Sequence, residues 1–336
     1  MAASCAELGP NLNELPRRKQ RGIKRKIFNA PRGGELNPRP PRINLSIGGK
    51  MSNNSNTLQH HLTEVKQGRR CFENAFQGVS RMILGSQIEK VVVNGKTTYD
   101  FSIFREGAKH VIGMYDEINS FVSYVKDAAE GGSSKEMAFV LVGEPGNGKT
   151  FLVEFLSGKY RHFLSRDKNR KYTFRFINID KVGNYGKITT IESQTYEDPM
   201  ILGMNLFDDP DQCREYLAKQ FGFSDKEIEA LYENYRPLGA CSSYIWNDIR
   251  NLTGGSIDEM LKYIEISPVP LTESLGTVTG KYPAKDKITS SSVDLLGEES
   301  IQRLLHITDT NNPYRFDLRR GALARVAGGG IHFSDE

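Results

Sequence analysis

The chain has 336 residues, 38% of them hydrophobic and 26% charged, enough apolar material for the core of one or two modest domains. No run of about 18 apolar residues exists, which excludes a membrane span from the reading, and the opening "MAASCAELGPNLNELPRRKQRG" lacks the apolar centre of a secretory signal, so the expected location is the cytoplasm. The formal charge of +4 is unevenly spread: residues 1–50 hold eleven Lys or Arg against three Glu, a balance of +8, which leaves −4 for residues 51–336, and the negative surface of the 181–310 segment argues against a nucleic-acid role.

Six of the fourteen prolines fall in residues 1–50. A basic, proline-rich stretch without apolar periodicity cannot bury enough surface to fold, so disorder is expected there. Three readings of "PRRKQRGIKRK" stay open: a solvated tail, a nucleic-acid arm or localisation signal, and an upstream extension of the reading frame. The junction favours the third, because Gly48-Gly49-Lys50 before Met51 is what a ribosome-binding sequence read in frame would encode. The start is then Met51.

Residues 51–105 read as a helical and hairpin region. Leu62, Val65, Phe72, Phe76 and Val79 recur at spacings that suit one buried helical face. "KVVVNGKTTYDF" predicts a hairpin turning at Asn94-Gly95. In "VIGMYDEINSFVSYVKDAAEGGSS", Ile118, Phe121, Val122 and Val125 follow helical spacing, and Gly131-Gly132 stop the helix. An apolar strand is expected over 139–142, then a glycine loop and an amphipathic helix; "KYTFRFINID" predicts a further strand. The stretch 208–233 is acidic and helical, with Leu217, Phe221, Ile228 and Leu231 on one face and Asp211, Glu215, Lys219 and Glu229 on the other. Trp246 reads as a core anchor and His332 as a strand residue facing a neighbour. Cys5, Cys71, Cys213 and Cys241 show no CxxC spacing and read as reduced structural thiols, without a zinc site.

"GEPGNGKT" fits the pattern G-x-x-x-x-G-K-[ST], and the chemistry needs each part. Gly143, Gly146 and Gly148, with Glu144, Pro145 and Asn147 completing the loop, let the backbone wrap a phosphate with its N–H groups turned inward. Lys149 brings a positive charge to the β- and γ-phosphates of ATP, and the Thr150 hydroxyl suits Mg2+. At the other end, "AGGGIHFSDE" reads as a short strand with Asp335 and Glu336 at its carboxyl end, the edge where open α/β sheets bind ligands. Paired with the phosphate loop, the two acids form a Walker B motif, in which Asp335 holds the metal and Glu336 polarises the attacking water. A chain that stops there is expected to be a fragment.

These features resemble the PrkA-type serine protein kinases, whose N-terminal half is an AAA+ ATPase domain. The resemblance covers roughly residues 60–336 and rests on "VIGMYDEINSFVSYVKDAAEG", "GEPGNGKT", the long acidic stretch, "SSVDLLGEESIQRL" and "YRFDLRRGALARVAGGG". It implies an α/β P-loop core with a central parallel sheet over 106–336, carrying a mostly helical insertion over about 181–310. It further implies Mg2+ and ATP as cofactors, catalytic roles for Lys149 and Glu336, an adenine pocket lined by Val111 and Ile112 (whose other reading is plain core), a protein substrate and a homo-oligomer through the AAA+ core. Ser334-Asp335-Glu336 departs from the family towards the general AAA+ form, and the kinase region of the family lies in its C-terminal half. The competing readings are an AAA+ remodelling ATPase, such as a chaperone or transcription activator, and an ATP-binding switch without turnover.

Overall fold

Thr57 sets the first helix: its hydroxyl accepts the amide of His60 at 3.2 Å, and α1 (Leu58–Lys66) runs until Gly68, at φ 69°, turns the chain. Asn74 and Gln77 then form a reciprocal capping box that starts α2 (Ala75–Leu84). Thus the stretch expected to show one buried face is two helices. The structure, a computed structural model, describes residues 56–282, 292–307, 309–316 and 318–334. The basic leader, Met51, Asp335 and Glu336 lie outside the described residues.

The predicted hairpin forms as β1 (Ile88–Val93) and β2 (Lys96–Phe101), with Asn94 and Gly95 at φ 51° and 75° in the left-handed geometry that such a two-residue turn requires. Helix α3 (Tyr115–Ala129) buries Ile118, Val122 and Val125, and Gly131, at φ 85°, follows its end. After the glycine loop comes α4 (Lys149–Leu164), then β3 (Tyr172–Ile177) and β4 (Thr190–Glu192). A helical stretch follows: α5 (Pro199–Gly203), α6 (Pro210–Phe221), α7 (Asp225–Tyr232), α8 (Ala240–Leu252) and α9 (Ile257–Met260). The remaining described elements are β5 (Ile264–Pro268), β6 (Thr279–Tyr282), α10 (Ser292–Leu296), β7 (Gly297–Glu299), α11 (Ile301–His306), β8 (Leu318–Arg320), α12 (Ala322–Val326) and β9 (Ile331–Ser334).

The class is mixed α/β, as expected, but the sheet is not the expected one. Among the described residues the strands form four small sheets, β1-β2, β4-β3-β5, β6-β9 and β7-β8, and only β6-β9 is parallel. The strand expected over 139–142 does not form. Val140 and Val142 are 67% and 74% exposed, while Leu141 packs on the second core and Phe139 lies against Phe121 and Tyr124 of α3. A strand needs a neighbour for its N–H and C=O groups, and no described strand pairs with this segment.

Two apolar cores organise the chain. One gathers α1, β3, β4, β5 and the helices from α5 to α9 around Phe174, Phe176, Met200 and Trp246. The other joins α2, β2, α3 and α4 to Val278 and Ile331. Leu217 and Ile228 are buried in the first core, with Phe221 and Leu231 packed against it, while Asp211, Glu215, Lys219 and Glu229 are exposed, the amphipathic division read from the sequence. The stretch 181–310 also supplies both neighbours of β3, namely β4 and β5, and the parallel partner of β9. Its removal would strip the ladder from a strand whose Phe174 and Phe176 are fully buried.

A partly buried ionic cluster joins α2 to the residue before β3. Arg81 donates to both carboxylate oxygens of Glu73, at 3.0 and 2.7 Å, and Lys171 Nζ donates to the Glu73 carbonyl at 2.6 Å. Burial pushes the Lys171 ammonium below its usual range, opposed by the Glu73 charge. Burial acts the other way on the free thiols of Cys71 and Cys213, pushing them up, because their charged form is the anion. No described group of three His, Cys, Asp or Glu side chains could hold a metal ion.

Candidate functional site

Helix α4 holds the site. Leu152, Leu156, Tyr160 and Leu164 recur every fourth residue and are all buried in the second core, so its axis and amino end are fixed by packing. The loop before it, residues 143–146, is exposed. Gly146 and Gly148 have φ 85° and 79°, a left-handed conformation that a side chain would strain. Gly148 is the residue that caps α4, and no side chain caps the helix in its place.

Lys149 folds back over the loop it follows. Its Nζ donates to the carbonyls of Gly143 at 2.6 Å and Glu144 at 2.9 Å. The Asn147 amide is used within the loop, donating to the Glu144 carbonyl at 3.3 Å. Among the described residues, the amides of Gly146, Gly148, Lys149 and Thr150 have no acceptor. Four backbone donors, an ammonium group and the amino end of a 16-residue helix converge on one turn. That donor set fits a ligand with several anionic oxygens, such as the polyphosphate of ATP.

The strand that carries the acid pair is aimed at this turn. Tyr160, near the carboxyl end of α4, donates to the carbonyl of Gly329, just before β9, at 3.0 Å. Glu154, near the amino end of α4, pairs with Lys281 at 3.0 Å, and Lys281 lies opposite Phe333 in the parallel β6-β9 register. Hence β9 runs antiparallel to α4, with its carboxyl end toward the amino end of that helix. Asp335 and Glu336 follow β9 in sequence but lie outside the described residues. His332 faces Ser334, with ring nitrogen and hydroxyl 3.0 Å apart, and burial lowers the basicity of the imidazole.

The segment expected at the adenine ring adjoins the loop. Its Met114 sulfur would lie 3.8 Å from a β-carbon placed on Gly148. Val111, however, is 6% exposed and belongs to the second core, while Ile112 is 78% exposed. The two residues therefore face opposite ways, and only Ile112 has an open face. Met114 is the contact that sequence reading passed over, since its one signal was its place just ahead of α3.

Thr150 is exposed at the first turn of α4. No family model matches the chain, and no curated protein or solved structure does either.

Proposed function

We propose that this chain is a Mg-ATP-binding P-loop ATPase domain, and that the bound nucleotide drives phosphorylation of a protein substrate, as the PrkA resemblance implies. The observation that carries the nucleotide reading is the group of four unpartnered amides beside Lys149 at the amino end of α4. The direction of β9 supports it, because a carboxyl-terminal acid pair on that strand would approach the same turn.

In this reading the loop amides and Lys149 bind the β- and γ-phosphates, with Lys149 exchanging its two carbonyl acceptors for phosphate oxygens. The left-handed glycines keep the backbone open to that approach, and Ile112 covers one face of the adenine ring. Magnesium, when bound, screens the charge between the phosphates, held by Thr150 and Asp335. Glu336 takes the proton of the attacking water, and the core assembles as a homo-oligomer around the shared nucleotide site. The remodelling ATPase reading shares this site and differs in what the nucleotide drives.

Titration with a fluorescent ATP analogue tests the site. Lys149→Ala is expected to abolish binding, because it removes the charge facing the β- and γ-phosphates. A folded Lys149→Ala protein, checked by circular dichroism, that binds with unchanged affinity would overturn the reading.

A further inference from the structure

A groove of about 310 Å³ lies along the flank of α4, and none of residues 143–150 lines it. Its walls are α4 residues from Glu154 to Arg161, the 272–276 turn, β6 and Arg325. Two polar atoms at this groove are buried without a partner among the described residues: Nε of Arg161 and Oγ1 of Thr279. A buried guanidinium N–H without an acceptor is costly, and a ligand oxygen would remove that cost.

The charges around the groove favour an anion. Arg161, Lys281 and Arg325 line it against two acids, Glu154 and Glu273. Glu154 is engaged by Lys281 at 3.0 Å, and Glu273, 70% exposed, stands 3.6 Å from Arg161 Nη1. Gly276, at φ 62°, brings its turn against Arg325, whose Cδ would lie 3.6 Å from a β-carbon there.

Gly158 points the same way. It lies in the middle of α4, where glycine is less favourable than alanine, and a β-carbon placed on it would meet nothing within 4 Å. Packing does not fill the space beside this glycine, and Gly158 lines the groove.

We propose that this groove is a second ligand site, separate from the phosphate loop, that takes the phosphate or carboxylate group of a small anionic molecule. Arg161 donates to that group through Nε and Thr279 through its hydroxyl, while Lys281 and Arg325 supply charge at the rim. The proposal does not depend on nucleotide binding at the loop.

The test uses the Lys149→Ala protein, which silences the phosphate loop, titrated calorimetrically with inorganic phosphate and, separately, with malonate. Saturable binding of either anion is expected, and the stronger of the two identifies the group. Arg161→Gln and Gly158→Glu should each weaken it by about tenfold or more, the size of one lost charge-assisted hydrogen bond. Gly158→Ala should leave it within about twofold, since a methyl group has room there. If Arg161→Gln fails to fold, Gly158→Glu decides, because its side chain enters open space. The proposal is overturned if neither anion saturates, or if the folded Gly158→Glu protein binds as before.

Discussion

The phenol of Tyr160 donates to the carbonyl of Gly329 at 3.0 Å, and this bond ties α4 to the glycine turn before β9. Tyr160 is fully buried, and Gly78 of α2 packs so closely on its hydroxyl that a β-carbon there would lie 2.8 Å away. Burial pushes the phenol far above its ordinary value, so it stays a neutral donor. Tyr160→Phe leaves the carbonyl without that donor and should cost about 1–3 kcal/mol in urea unfolding. The folded value is raised, so the contribution is complete below about pH 10 and declines as pH rises beyond it. A variant as stable as the parent, with the same alkaline profile, would remove Tyr160 from this role.

Gly148→Ala places a side chain at φ 79°. The strain is about 1–2 kcal/mol, and relief by a shift of the loop would turn the Lys149 and Thr150 amides. Weaker binding of an ATP analogue is expected, together with a lower melting temperature. Full affinity in this variant would show that the loop conformation is not what the ligand needs.

Lys66 and Glu227 join α1 to α7 through a 2.6 Å ion pair. The Lys66 ammonium and the amide and hydroxyl of Ser224 hold the Glu227 carboxyl down to about 2. A depressed folded value means that the contribution is present above the ordinary carboxylate value of about 4.3 and is lost as pH falls toward 2. Lys66→Met should cost no more than about 1 kcal/mol at neutral pH, since both side chains are partly solvated, and should flatten the acid limb of the stability curve. An acid limb identical to the parent's would count against the pair.

Gly330 has no room for a side chain: a β-carbon would collide with the carbonyl of Thr277 and lie 2.9 Å from that of Val278. Gly330→Ala should destabilise by about 1–3 kcal/mol in thermal unfolding, because the approach is to backbone that cannot move aside without disturbing the start of β6. A neutral effect would mean that this turn is more compliant than its contacts imply.

Much of the local structure was legible in the sequence. Asn94-Gly95 specified the hairpin, the spacing of Ile118, Val122 and Val125 specified α3, and "GEPGNGKT" marked a loop with left-handed glycines at the start of α4. Such features depend on side chains and dihedral angles within a few residues, which the order of residues dictates. What neighbours decide was not legible. Residues 139–142 have the composition of a strand yet pair with no described strand, and Val111 and Ile112, adjacent in sequence, divide between core and solvent. The stretch 181–310 read as an insertion, yet β4, β5 and β6 within it complete the pairing of β3 and β9. Sequence alone therefore determined the glycine loop, the hairpin and the amphipathic faces. Only the tertiary structure decided which strands found partners, because a strand's hydrogen bonds are made to residues distant in the chain.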